Sequence, residues 1–193
     1  MVQFTGHHYT LNMTFSGVSV SNTPYFIGVN PPTAFKLHGH TYQPLAAQVA
    51  AMFGAVRSLN ASQRATARLS QRFHDVLVGA GRDGQFPPKQ GVTVSTLSRA
   101  QQNLVTRAIW SYVSVMPRAQ ANRLMATYEK QYSQTKLAWS GSTNPTTSEA
   151  YVRIQGPRVW IEISRTDLGR LIGEVDHYHS IERDIKNDYG AGM

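Results

Sequence analysis

The chain contains no cysteine. That absence excludes disulfides, thiolate metal sites and a cysteine nucleophile. Any metal must therefore be held by His, Asp or Glu, with Met or Tyr as further donors. Acids are scarce over most of the length: up to Met125 the only two are Asp75 and Asp83. No apolar run approaches the roughly 18 residues needed to span a membrane. No cationic start followed by an apolar stretch is present, so no signal peptide is read and a cytoplasmic location stays open. G-x-S-x-G, P-loop and G-x-G-x-x-G motifs are missing. The glycines of Gly79-Ala80-Gly81-Arg82-Asp83-Gly84 have neither the spacing nor the strand-to-helix context of a phosphate cradle. There is no internal repeat and no low-complexity tract.

What is there is globular. The 193 residues suffice for one domain, 1–193, with a real core. A hydrophobic fraction of 41% with 10% aromatics argues against disorder. The net charge is +8 and unevenly placed: from Glu129 onward nine acids face eight Lys and Arg. The first two-thirds is thus basic and the last third near neutral. A basic surface attracts anions of any kind, nucleic acid included, but no RNA- or DNA-binding motif accompanies it.

Residues 7–29 read as a hairpin. Tyr9, Leu11, Met13 and Phe15 alternate with His8, Thr10, Asn12 and Thr14. The apolar set is expected inward and His8 on the opposite face. Residues 30–44, with three prolines and one glycine, read as a loop carrying His38 and His40. A helical block at 45–136 follows. Its first helix uses Leu45, Val49, Met52, Phe53 and Val56. Its second opens at the capping box Asn60/Gln63 and runs through Ala65, Leu69, Phe73, Val76 and Leu77. After a loop at 79–91, a third opens at Ser98/Gln101 and buries Leu104, Val105, Ile109, Tyr112 and Val113. Pro117 suits the start of a fourth. Strands return at 137–183: Leu137 to Trp139, a hairpin from Ala150 to Ile163 turning at Gly156-Pro157, and a strand at 177–183 after a loop or short helix at 166–174. Strands, helices, strands predict an α+β fold. A largely antiparallel sheet from the N- and C-terminal hairpins would pack against about four central helices.

The chemistry concentrates at the two ends. On a strand His177, His179, Ile181 and Arg183 share one face, and two histidines at i and i+2 lie about 7 Å apart at Cα. Both imidazoles can reach one ion. A third ligand must come from elsewhere: His8, His7 or Glu162. Glu162 qualifies because its strand neighbours Ile161 and Ile163 are apolar, so it shares a face with Trp160. Two His and a carboxylate suit non-haem iron. Three His suit copper or zinc. Arg153, Arg158 and Arg183 invite an anion-site reading, although Arg183 beside Asp184 equally suits a structural ion pair.

Four blocks taken together resemble a known family: 6-GHHYTLNMTF-15 with 23-TPYFIGVNP-31, then 97-LSRAQQNLVTRAIWSYV-113, then 136-KLAWSGS-142 with 150-AYVRIQGPRVWIEIS-164, then 177-HYHSIERDIKNDYG-190. The chain is similar to the bacterial and fungal domain-of-unknown-function family 3500. The family pattern falls on Gly6, His7, His8, Arg153, Gly156, Pro157, Glu162, His177, His179, Ser180, Arg183, Asp184, Asn187, Asp188 and Tyr189. The chain departs from it at Glu182, where relatives tend to carry an aromatic. Relatives are also longer, with a leader and a further N-terminal segment. The resemblance implies an extracytoplasmic location for many relatives and no established activity.

The leading expectation is a metal site of His177 and His179 with His8, His7 or Glu162, holding copper or iron. Arg183 and Arg153 would stand behind it or meet a small-molecule or anionic substrate. Oxidative chemistry is the first reaction class, and hydrolysis by metal-bound water the second. The rivals are a non-enzymatic module binding an acidic polymer through the basic helical block, and a self-assembling protein with open sheet edges.

Overall fold

The computed structural model describes residues 1–166 and 176–193. Strands β1 (Val2–Thr5), β2 (Tyr9–Ser16), β3 (Ser19–Ser21) and β4 (Tyr25–Val29) come first, then a hairpin of β5 (Phe35–Leu37) and β6 (His40–Tyr42). Helices α1 (Ala46–Arg57) and α2 (Ala61–Ala67), strand β7 (Val92–Thr93), and helices α3 (Arg99–Val113) and α4 (Arg118–Glu129) follow. The chain closes with β8 (Lys136–Ser140), β9 (Tyr151–Gln155), β10 (Val159–Thr166) and β11 (His177–Asp184).

Nine of these strands form one antiparallel sheet, ordered β1-β2-β4-β11-β10-β9-β8-β7, with β3 beside β2. With its helices this is the expected α+β fold. The last strand lies between the two hairpin systems: β11 pairs with β4 on one side and β10 on the other. The termini of the fold therefore meet at the centre of the sheet, and all eight residues of β11 are buried.

The two faces of the sheet have different covers. On one, Val105, Ile109, Tyr112 and Tyr128 of α3 and α4 and Met52, Phe53 and Val56 of α1 join the inward residues of β8 to β11 in the main core. The Tyr112 hydroxyl meets the Ser180 hydroxyl at 2.6 Å, which marks the even-numbered side of β11 as the helix side. Both expected capping boxes form, at Asn60/Gln63 and Ser98/Gln101, each satisfying two orphan helix donors.

The opposite face is covered by an irregular strap, residues 68–91, and here the structure corrects the sequence reading. The second helix does not run to Leu77; it stops at Ala67. Arg68 turns to extended backbone, Leu69 N donates to Trp139 O at 2.8 Å, and the chain lies flat on the sheet. Phe73 stacks on Tyr151 with ring centroids 4.4 Å apart. The i, i+4 spacing of Leu69, Phe73 and Leu77 suits a helix, but docking onto the strands at Trp139 and Tyr151 satisfies the same side chains. Two smaller corrections accompany it. On β2 the residue most deeply buried is Asn12, not the apolar set, and Phe15 is 56% exposed. Asn12 makes this tolerable by donating to Pro24 O and accepting from the Gln3 amide, both at 2.7 Å. Residues 30–44 are not all loop: β5 and β6 form an exposed hairpin turning through His38 and Gly39, both at positive φ. The predicted loop or short helix at 166–174 falls, beyond Thr166, outside the described residues.

Candidate metal centre

The strap side of β11 presents His177, His179 and Arg183. The register then sets the site. His179 pairs with Gly28 on β4 and with Ser164 on β10. Gly28 N donates to His8 O at 2.7 Å, so His8, just ahead of β2, flanks Gly28 on its other side. Two imidazoles on adjoining strands thus lean over a position that has no side chain. A Cβ at Gly28 would stand 2.6 Å from His8 Cδ2 and 2.9 Å from His179 Cδ2, distances real Cβ atoms do not tolerate. Glycine inside a strand usually weakens it; here it makes the space that the rings fill.

One ring nitrogen from each of His8, His177 and His179 lies within 4.8 Å of the other two. The ring centroids are 4.9 Å apart for His8 and His177, 5.3 Å for His8 and His179, and 4.6 Å for His177 and His179. His177 Nε2 and His179 Nε2 approach to 2.9 Å. The other nitrogen of His179, Nδ1, lies 2.8 Å from Asp75 Oδ1 on the strap. Asp75 is held in place by Val76 N, which donates to the same oxygen at 2.6 Å. Phe26 sets its ring edge-on to His179, with centroids 5.2 Å apart.

The donor roles follow from the chemistry of imidazole. A carboxylate only accepts, so His179 Nδ1 carries the proton shared with Asp75. His179 Nε2 is then a lone-pair acceptor, and His177 Nε2 donates to it. This arrangement leaves His179 Nε2 aimed at the middle of the cluster.

The other sequence candidates sit elsewhere. His7 is exposed and lines the cleft beside the cluster, its ring 4.4 Å from that of His8, but it is outside the group that meets within 4.8 Å. Glu162 lies on the same face of the sheet, but it pairs with Ile181 rather than with either histidine. Its oxygens accept from Leu77 N (2.6 Å), Val78 N (2.8 Å), the Trp160 indole (2.7 Å) and the Tyr151 hydroxyl (2.5 Å). Burial pushes its carboxyl above the ordinary range, while those four donors favour the ionised form. Glu162 thus clamps the strap to the sheet. Arg183 does the same with its guanidinium: Nε donates to Val78 O, Nη2 to Gly79 O, and Nη1 meets Asp83 and Asp188. Arg153 is 1% exposed, its guanidinium 5.4 Å from the Trp160 ring and 6.0 Å from that of Phe73. His74 pairs with Glu149 at 2.7 Å, and His38 and His40 belong to the exposed hairpin.

Two members of this site were not among the sequence candidates. Asp75 was hidden by the helical reading of the strap. Its signal was rarity, as one of only two acids before Glu129. Gly28 had a signal too, a lone glycine inside the strand Tyr25–Val29.

A nine-stranded antiparallel sheet with a helical layer on one face and a cluster of two buried histidines and one half-buried histidine on the other defines an α+β protein with a candidate metal centre. The chain belongs to the family described as protein of unknown function (DUF3500), which it matches over residues 1–191. No curated protein and no solved structure matches it. Among the described residues no helix is long and apolar enough to cross a membrane.

Proposed function

We propose that His8, His177 and His179 hold one transition-metal ion, with Asp75 orienting His179, and that the ion is copper or iron. The convergence of three ring nitrogens from the first and last strands carries this reading. The Asp75–His179 pair supports it, because metal-binding histidines almost always give their second nitrogen to a carboxylate or carbonyl. Two nitrogens 2.9 Å apart, each about 2.05 Å from an ion, subtend an angle of about 90°. An angle of that size lets both rings bind one ion, and imidazole donors with open positions suit copper and iron. Binding through Nε2 moves the His177 proton to Nδ1, and because only neutral imidazole coordinates a metal, affinity rises with pH. With protein donors on one side and the cleft on the other, the ion keeps open positions for a reactant, which suits oxidative chemistry. An extracytoplasmic location is proposed on the family resemblance alone.

The test is metal content and affinity in protein purified without a polyhistidine tag. The wild-type chain is expected to bind one equivalent of Cu(II) or Fe(II) per chain, with nitrogen hyperfine structure in the copper EPR spectrum. His177→Ala combined with His179→Ala is expected to abolish binding, and Asp75→Asn to weaken it about 10–100-fold. Equal, sub-stoichiometric metal in wild type and double variant would remove the proposal.

Gly28→Ala gives a second, independent check. Alanine in a strand ordinarily stabilises by about 0.5–1 kcal/mol over glycine. Here the added methyl drives apart the His8 and His179 rings. The variant is expected to unfold at a urea midpoint close to or slightly below wild type while losing at least about tenfold in metal affinity. Unchanged affinity would show that the rings do not act together.

A further inference from the structure

The cleft beside the histidines has a volume of about 850 Å³, and His179 is the cluster member that lines it. Most of the charge on its walls is already engaged. Arg72 pairs with Glu149, Arg183 with Asp83 and Asp188, and Asp75 with His179. Arg82 is the exception. It is exposed, and among the described residues its side chain makes one hydrogen bond, to Gln85 Oε1 at 3.3 Å. Exposed primary amides of Gln3, Gln71 and Gln85 share the walls.

Tyr189 adds an aromatic face. Its φ of 56° is in the left-handed region that bulky residues avoid. The peptide is pinned there at both ends: Tyr189 N donates to Thr23 O at 2.7 Å, and the Thr14 hydroxyl donates to Tyr189 O at 2.9 Å. The ring it holds over the cleft is 39% exposed. Backbone strain held in place by its surroundings clusters at functional sites. A pinned, exposed ring whose hydroxyl lies 3.4 Å from Asp83, beside amides and a guanidinium with no carboxylate partner among the described residues, suits a hydroxyl-rich chain bearing carboxylates. Sugar C–H faces pack on aromatic rings, amides bond hydroxyls, and guanidinium pairs with carboxylate in a fork. The net charge of +8 steers such a polyanion inward.

We propose that this cleft binds an acidic polysaccharide, a uronate-containing chain, with one sugar unit lying against Tyr189 and the chain running to His179. The inference deepens the metal-centre reading by naming what the ion would meet, and the binding itself requires no metal. Affinity is measured on chelator-stripped protein for oligogalacturonate, a neutral gluco-oligosaccharide and a single-stranded oligonucleotide. Oligogalacturonate is expected to bind, with the neutral sugar and the oligonucleotide each at least about tenfold weaker. Tyr189→Asn and Arg82→Ala are each expected to cost about tenfold. Asparagine accepts the left-handed backbone, so the first variant keeps its fold, which thermal melting checks. No binding of oligogalacturonate, indifference to both substitutions, or an equal or tighter grip on the neutral sugar or the oligonucleotide would overturn the proposal. Metal uptake by the same protein, measured before stripping and after reloading with Cu(II) or Fe(II), separates the two readings: metal uptake without sugar binding defeats this one alone, and sugar binding without metal uptake defeats only the metal centre.

Discussion

Replacing Glu162 with alanine is expected to destabilise the protein by at least about 3 kcal/mol and to release the strap from the sheet. Glu162 is fully buried, and four donors converge on its two oxygens: Leu77 N, Val78 N, the Trp160 indole and the Tyr151 hydroxyl. Removing the acceptor leaves buried N–H and O–H groups unsatisfied, and each costs about 1–3 kcal/mol, without full additivity. Leu77 lies two residues beyond Asp75, so the same change loosens the carboxylate that orients His179. Two signals should therefore move together: the urea midpoint falls, and metal affinity falls with it. Glu162→Gln keeps the shape but turns one accepting oxygen into a donor facing donors, and it should show a reduced version of both losses. A Glu162→Ala variant within about 0.5 kcal/mol of wild type, which is the range of ordinary surface changes, would show that the strap is held by its apolar contacts alone.

The second large effect concerns Glu182, on the helix side of the neighbouring strand β11. It is fully buried, and among the described residues neither oxygen has a hydrogen-bond partner. Desolvation, then the nearby Asp184 and Asp188 carboxyls, push its carboxyl from the usual 4.5 up to about 8. Tyr25, Tyr112 and Tyr128 face it from β4, α3 and α4, and burial keeps all three phenols neutral, so its neighbours there bring no cation. Arg158 is occupied by Asp184. At neutral pH Glu182 is therefore a neutral acid inside the core. The folded state holds this proton more tightly than the unfolded chain does, so raising the pH costs stability. The loss begins near the unfolded value of about 4.5 and is complete once the pH passes about 8. Each pH unit inside that window removes up to about 1.4 kcal/mol. Glu182→Gln carries no proton to lose. If it matches wild type near about pH 5, it should exceed it by roughly 4 kcal/mol near about pH 9, read as a difference between urea midpoints. Parallel pH profiles for the two proteins would mean that Glu182 is ionised in the fold and has a partner.

These two glutamates show where sequence reading reached and where it stopped. Both lie on strands at alternating positions, and the alternation was legible. Their opposite roles were not, because one face of β10 and β11 meets a strap of free backbone donors and the other meets helices whose donors are already used. A carboxylate against unpaired peptide N–H groups becomes a clamp, while the same group against helix side chains stays protonated. Nothing local to Glu162 or Glu182 distinguishes these outcomes.

By itself the sequence determined the strand, helix, strand order, both capping boxes, the face shared by His177 and His179, and the exclusion of thiolate chemistry. Each depends on residue types within a few positions of one another, where period and capping chemistry act directly. Only the tertiary structure decided that β4 and β11 are neighbours, that Gly28 leaves room for two imidazoles, and that residues 68–78 run as a strap bringing Asp75 to His179. Such contacts join residues more than a hundred positions apart, as Asp75 and His179 are. Their pairing is set by the competition of whole surfaces for burial, and a helical spacing of Leu69, Phe73 and Leu77 yields when the sheet offers those side chains a better place to pack.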